Sequence, residues 1–182
     1  MSCYNRLDTK DIIRRALKED IGERDITTTA IIPKSKYVKA LLLAKEDGIV
    51  CGLGIAAEVF KVKDKNIRFK PLILDGQKIR KGGVIAHIFG RAQSILTAER
   101  VALNFLSLLS GVATKTREYV DKVRPYKVKI LDTRKTLPGL RALEKYAVRI
   151  GGGYNHRMRL DEMILIKDNH LKVARGCQRL PS

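Results

Sequence analysis

Residues 127–160 read KVKILDTRKTLPGLRALEKYAVRIGGGYNHRMRL, and the reading of this stretch decides the fold. Lys127 to Leu131 alternate cationic and apolar side chains, as a β-strand does. A dense polar group follows at once: Asp132, Thr133, Arg134 and Lys135. Pro138 then opens a helix-like run to Val148, because proline suits a first helical turn, where its missing N–H is not needed. Gly151, Gly152 and Gly153 come next, then Asn155, His156 and Arg157. A second apolar run, Met163 to Lys167, reads as another strand. Strand, loop, helix, loop, strand is the rhythm of parallel strands joined by a crossover helix, so this half of the chain is expected to be α/β.

In such folds, chemistry sits on loops at the C-terminal ends of strands. Three polar clusters fall at or near those places: Asp132 to Lys135, Asn155 to Arg157, and Lys167-Asp168-Asn169-His170. They are expected to converge on one anion pocket. An arginine fork binds a carboxylate through paired charge-assisted bonds, and lysine supplies a mobile point charge for phosphate. The glycines allow backbone to approach a ligand closely, or form a flexible link.

Upstream, Asp8 is placed as N-cap of a helix running from Thr9 to about Asp20, with Gly22 as its stop. Tyr37 to Lys45 alternates like a strand, Asp47-Gly48 supplies a turn, and Ile49 to Cys51 continues as strand. Gly52 to Phe60 has a helical pattern. Ile67 to Leu74 and Val84 to Phe89 read as strands on either side of a turn-rich segment. That segment opens DGQKIRKGGVIAHIFG (residues 75–90), which resembles a biotinyl or lipoyl carrier hairpin. Lys78 and Lys81 lack the acidic, small-residue setting of a carrier lysine, so the hairpin is taken as scaffold. Gln93 to about Arg124 is the longest helical pattern. Gly111 is expected to interrupt it, since glycine costs roughly 1 kcal/mol in a helix interior. The expected organisation is therefore an N-terminal α/β domain, residues 1–111, and a second unit, residues 112–182.

The composition, 45% hydrophobic in 182 residues, suffices for a packed core. Lys plus Arg number 37 against 19 Asp plus Glu, a formal +18, which implies anionic partners. Nucleic acid is disfavoured, because no Trp and 5% aromatics leave few platforms for stacking bases. Small polyanionic substrates remain. Cys3, Cys51 and Cys177 are odd in number and lack ligand spacing, so they read as reduced thiols, and no metal site is read from these residues. The N-terminus carries no apolar signal core, and the apolar windows are broken by Glu58, Asn104 and Ser107. No membrane association and a cytoplasmic location are expected.

The stretches ERVALNFLSLLSG (99–111), ILDTRKTLPGLRALEKYAVRIGGGYNHRMRL (130–160) and ILIKDNHL (164–171), with EDIGERDITT (19–28), resemble quinolinate phosphoribosyltransferase, also called carboxylating nicotinate-nucleotide pyrophosphorylase. The ModD-type pyrophosphorylases of the molybdate operon share much of this pattern and are the alternative, beside a basic nucleic-acid-binding module without catalysis. The resemblance implies an N-terminal α/β hammerhead domain followed by an α/β barrel, in a homodimer. It implies that quinolinate and phosphoribosyl pyrophosphate, with Mg²⁺, give nicotinate mononucleotide, pyrophosphate and carbon dioxide in NAD biosynthesis. Carried over residue by residue, it assigns Arg134, His156 and Arg157 to quinolinate. Thr133 and Lys135 complete the Thr-Arg-Lys element, and Lys167 is the strand-end lysine, so that Lys135 and Lys167 are the catalytic cations. Arg100 is the arginine that reaches a neighbouring subunit's site.

A complete barrel takes about 250 residues, and far fewer follow Gly111. The chain is therefore expected to hold only the first βα units of an incomplete barrel, with the Mg²⁺ ligands in the part it lacks, and to show no phosphoribosyl transfer by itself.

Overall fold

The alternation of Val38, Ala40 and Leu42 with outward-facing neighbours builds strand β1 (Tyr37–Leu43) in the computed structural model, which describes residues 6–174. Helices α1 (Arg6–Ile21) and α2 (Ile26–Ile31) precede it. After it come β2 (Gly48–Ile49), α3 (Leu53–Lys63), β3 (Arg68–Pro71), β4 (Lys78–Ile79) and β5 (Val84–Arg91). The long helix α4 (Ala92–Val123) leads to α5 (Arg141–Ile150) and α6 (Asp168–Ala174). The protein is a mixed α/β structure.

β5 is the central strand of a three-stranded antiparallel sheet, order β1-β5-β3, with Leu42 opposite Ala86 and Phe69 opposite Ile88. β2 and β4 pair as a separate antiparallel ribbon. The ribbon's free edge is satisfied by α4: Thr114 Oγ1 accepts from Ile49 N at 2.8 Å, and Ser110 Oγ accepts from Cys51 N at 3.0 Å. These side-chain acceptors replace a third strand, which buried backbone N–H groups would otherwise require. The main core joins Ile13 and Leu17 of α1, Ile55, Val59 and Phe60 of α3, and Ile88 of β5. It continues through Ile95, Val101, Phe105 and Leu109 of α4 to Leu143 and Ala147 of α5.

Several expectations are corrected. α1 already includes Arg6, so Asp8 lies inside the helix and not at its cap. Gly111 does not interrupt α4, which runs unbroken for 32 residues. Leu109 and Ala113, both fully buried, anchor the helix on either side of the glycine, and their burial outweighs its propensity cost. Lys127 to Leu131 forms no extended strand; Leu131 makes a single parallel bridge to Tyr154. Met163 to Lys167 is not a strand either. Ile164 is 88% exposed, and no strand pairs with this segment among the described residues. The segment instead leads into α6, which begins at Asp168. Cys3, Cys177 and the rest of the tail lie outside the described residues. α4 is also the one described helix with the length and composition to cross a bilayer, but its apolar face is the core of this fold.

Candidate active site

The parallel bridge at Leu131 brings two loops side by side. Tyr154 N donates to Ile130 O at 2.8 Å, and Asp132 N donates to Tyr154 O at 3.0 Å. The next groups along both loops are the polar ones, and Asp132 joins them. Its Oδ1 accepts from His156 N at 2.8 Å and from the Lys145 ammonium of α5. Lys145 Nζ also donates to His156 O at 2.9 Å. With its amide nitrogen facing these acceptors, Asn155 donates to Asp132 Oδ2 at 2.9 Å and to Lys145 O at 3.0 Å. The Lys145 and Asp132 side chains are 1% and 7% exposed, so this is a buried ion pair with its lone pairs shared among backbone and amide donors.

One turn before Lys145, Arg141 clamps the same loops from the other side. Its Nε donates to Thr136 Oγ1 at 3.1 Å, Nη1 to Met158 O at 3.1 Å, and Nη2 to Arg134 O at 3.5 Å. The Glu144 carboxylate accepts from Leu137 N. Helix α5 therefore holds the loop carrying Arg134 and the loop carrying His156 and Arg157 in one fixed relation.

Within that frame Arg157 is buried, with Nη1 donating to Met163 O at 2.6 Å. Among the described residues its Nε is buried without a hydrogen-bond partner, and so is Nε of the half-buried Arg134. His156 Nδ1 accepts from Arg157 N at 2.8 Å, which fixes the ring as a lone-pair acceptor at that nitrogen. Thr133 Oγ1 accepts from Lys135 N at 3.0 Å, a local turn that leaves the Lys135 ammonium exposed.

The glycine run serves packing here. A Cβ at Gly151 would stand 2.5 Å from Ala113 O and 2.6 Å from Thr116 Cβ, so only glycine lets the end of α5 lie against α4. Gly152 has φ +95°, the left-handed turn that redirects the chain toward Tyr154. Beside it lies Arg117 of α4, whose Nε is a third buried donor without a partner among the described residues.

Two expected site residues stand apart from this group. Lys167 is exposed, its N–H donates to His170 Nδ1 at 3.0 Å, and it precedes α6 instead of ending a strand. Arg100 is exposed on α4 and lines a groove of about 840 Å³ between α4 and β1, together with Leu41, Leu43, Glu46 and Ser107. No residue of the Asp132 or His156 loops borders that groove.

Comparison with known proteins places this arrangement. Residues 25–110 match the N-terminal domain of quinolinate phosphoribosyl transferase, and residues 112–180 match its C-terminal domain. The chain belongs to the quinolinate phosphoribosyltransferase family. It is 46% identical over 173 residues to quinolinate phosphoribosyltransferase (decarboxylating) 1b of Nicotiana tabacum, covering 94% of this chain and 49% of that protein. It is 45% identical over 170 residues to the chloroplastic nicotinate-nucleotide pyrophosphorylase (carboxylating) of Oryza sativa subsp. japonica, covering 93% and 45%. Among solved structures, NadC from Streptococcus pyogenes superposes with a TM-score of 0.90 at 42% identity, over 96% of this chain and 62% of that one. The chain thus spans about half the length of the curated relatives it matches.

For a member of this family Mg²⁺ is expected, but among the described residues no three His, Cys, Asp or Glu side chains gather as a cation site. Asp132, the acid nearest the arginines, is consumed by Lys145, His156 and Asn155. The described residues do not fit the ion. Lys145 and Arg141 are the groups that sequence reasoning missed as parts of the site, whereas Asn155 fell in an expected cluster. In the sequence Lys145 resembles any cation on the outer face of an amphipathic helix; the two loops folded across that face bury it.

Proposed function

We propose that the Arg134–Arg157 loops bind the two carboxylates of quinolinate, and that the protein to which this chain corresponds transfers the phosphoribosyl group to it, releasing pyrophosphate and carbon dioxide. The observation that carries this reading is the pair of buried, unpartnered guanidinium nitrogens on Arg134 and Arg157, held on loops that α5 locks together. A buried donor without an acceptor costs roughly 1–3 kcal/mol, and an incoming carboxylate removes that cost. The guanidinium fork matches a carboxylate with two parallel bonds.

The same charges suit the chemistry. Attack by the pyridine nitrogen on the sugar expels pyrophosphate, and loss of the adjacent carboxylate leaves negative charge on the ring. Fixed cations near the ring stabilise that charge without reorganising. Lys135, exposed and mobile beside Arg134, is suited to phosphate, and Lys167 is assigned the same kind of duty by its motif. Arg100, remote from this chain's own loops, is assigned to the site of a second subunit in a homodimer. A reducing, aqueous compartment such as the cytoplasm suits the free, buried Cys51.

Titration calorimetry with quinolinate tests the assignment. Arg134→Lys keeps the charge and loses the planar fork, so it is expected to weaken binding by about 1.5–3 kcal/mol. Unchanged affinity refutes the role given to Arg134.

A further inference from the structure

We infer that Lys145 is a positioning residue: through its buried bonds to Asp132 and His156 it sets the spacing between Arg134 and the His156–Arg157 pair, and with it the preference for a diacid over a monoacid. The inference rests on the quinolinate reading above.

A lysine 1% exposed is an expensive way to hold two loops together, because its desolvation offsets much of the attraction to Asp132. An apolar side chain of similar volume stabilises a core at least as well. What the ion pair supplies is direction. Lys145 Nζ donates to the Asp132 carboxylate and to His156 O, and Asp132 returns to His156 through its N–H, closing a ring across both loops. Asn155 closes a second ring through Asp132 Oδ2 and Lys145 O. Both rings stand within two residues of the arginines: Asp132 is two before Arg134, and His156 adjoins Arg157. A shift at this joint therefore moves one arginine against the other, while each keeps its own charge and exposure. A ligand with one carboxylate needs one arginine in place. A ligand with two adjacent carboxylates needs both at a fixed separation, and it alone registers the joint.

The test compares quinolinate, which is pyridine-2,3-dicarboxylate, with picolinate and nicotinate, which each carry one of its carboxylates. Calorimetry is run on the 182-residue chain and on Lys145→Met. Because the single variant leaves Asp132 charged and unpaired, the double variant Asp132→Asn/Lys145→Met removes both charges and keeps both shapes. Asn155→Ala is a milder lesion of the second ring. Circular dichroism confirms that each variant compared is folded. Quinolinate affinity is expected to fall roughly 10–100-fold, as misplacement of about 1 Å does in positioned sites, with either monoacid changed less than about twofold. Equal losses for diacid and monoacids mean general damage to the fold and overturn the inference. Undiminished quinolinate binding in a folded variant overturns it as well. If the unsubstituted chain itself shows no preference for quinolinate over the monoacids, the functional reading fails first, and this inference with it.

Discussion

The phenol of Tyr146 donates to Asp75 Oδ2 at 2.7 Å, seventy-one positions earlier in the chain, and through that carboxylate ties α5 to the start of α3. Asp75 also accepts from Gly52 N and Leu53 N at 3.1 Å, so one carboxylate serves a helix N-terminus and a distant helix together. Tyr146→Phe keeps the ring and removes one of these bonds, and is expected to cost about 1 kcal/mol. Asp75→Ala strands two backbone donors and the phenol, and is expected to cost about 2–4 kcal/mol. Urea unfolding followed by circular dichroism ranks the two; equal midpoints would show that the carboxylate does not join the layers.

Acid should weaken the N-terminal half through two aspartates. The hydroxyl and N–H of Thr28, with help from the Thr97 hydroxyl and the charge of Lys63, hold the Asp25 carboxyl below its usual range, against the opposing effect of burial. The Asn66 backbone N–H does the same for Asp64, joined by Ser94 and Arg91. A carboxyl with a depressed folded pKa stabilises the fold above its unfolded value and loses that contribution as pH falls through the folded one. Thermal midpoints should therefore decline as pH drops below about 4. Asp25→Asn should flatten that decline, and an identical pH profile for the variant would contradict it.

Burial, and then the negative charge of Asp75, push the Cys51 thiol well above the ordinary thiol range. The thiolate is the reactive species. In a chain carrying Cys3→Ser and Cys177→Ser, Cys51 should resist aromatic disulfide reagents at pH 8 until denaturant is added. Stoichiometric labelling of the folded chain within minutes would show that the α3–α4 layer opens readily.

Arg100 lines a groove that no residue of the Asp132 or His156 loops borders, so the second-subunit role proposed for it can be tested by mixing. Arg100→Ala and Arg134→Ala chains are each expected to lose quinolinate binding. After subunit exchange, random pairing should restore about a quarter of the sites, because half the dimers are hybrids carrying one intact site in two. No recovery despite demonstrated exchange would keep Arg100 out of the site.

The sequence made β1, α3, β5 and α5 legible, because their side chains repeat with the period of the element they form. Other features turn on partners that periodicity does not name. α2 escaped notice because Ile-Thr-Thr-Thr-Ala-Ile is rich in β-branched residues; only Asp25 before it, a side-chain N-cap to Thr28 N, marked the helix. Met163 to Lys167 looks like a strand because it is apolar, yet a strand exists only when a neighbour pairs with it. At the candidate site, the motif led to Arg134, His156 and Arg157, which the fold sets on adjacent loops. It said nothing of Lys145, whose burial depends on residues 10 to 13 positions away folding over it.

The unbroken course of α4 through Gly111 makes it a measuring rod with a phase. At 1.5 Å per residue its 32 residues reach about 48 Å. Arg100, on the groove beside β1, and Thr116, against which Gly151 is seated, lie about 24 Å apart along its axis. A helix transmits rotation as faithfully as length, so one residue inserted between them would swing Arg100 about 100° around the axis while advancing it about 1.5 Å. The loops seated on α4 at Gly151 and the groove that holds Arg100 are geared to each other by helical pitch.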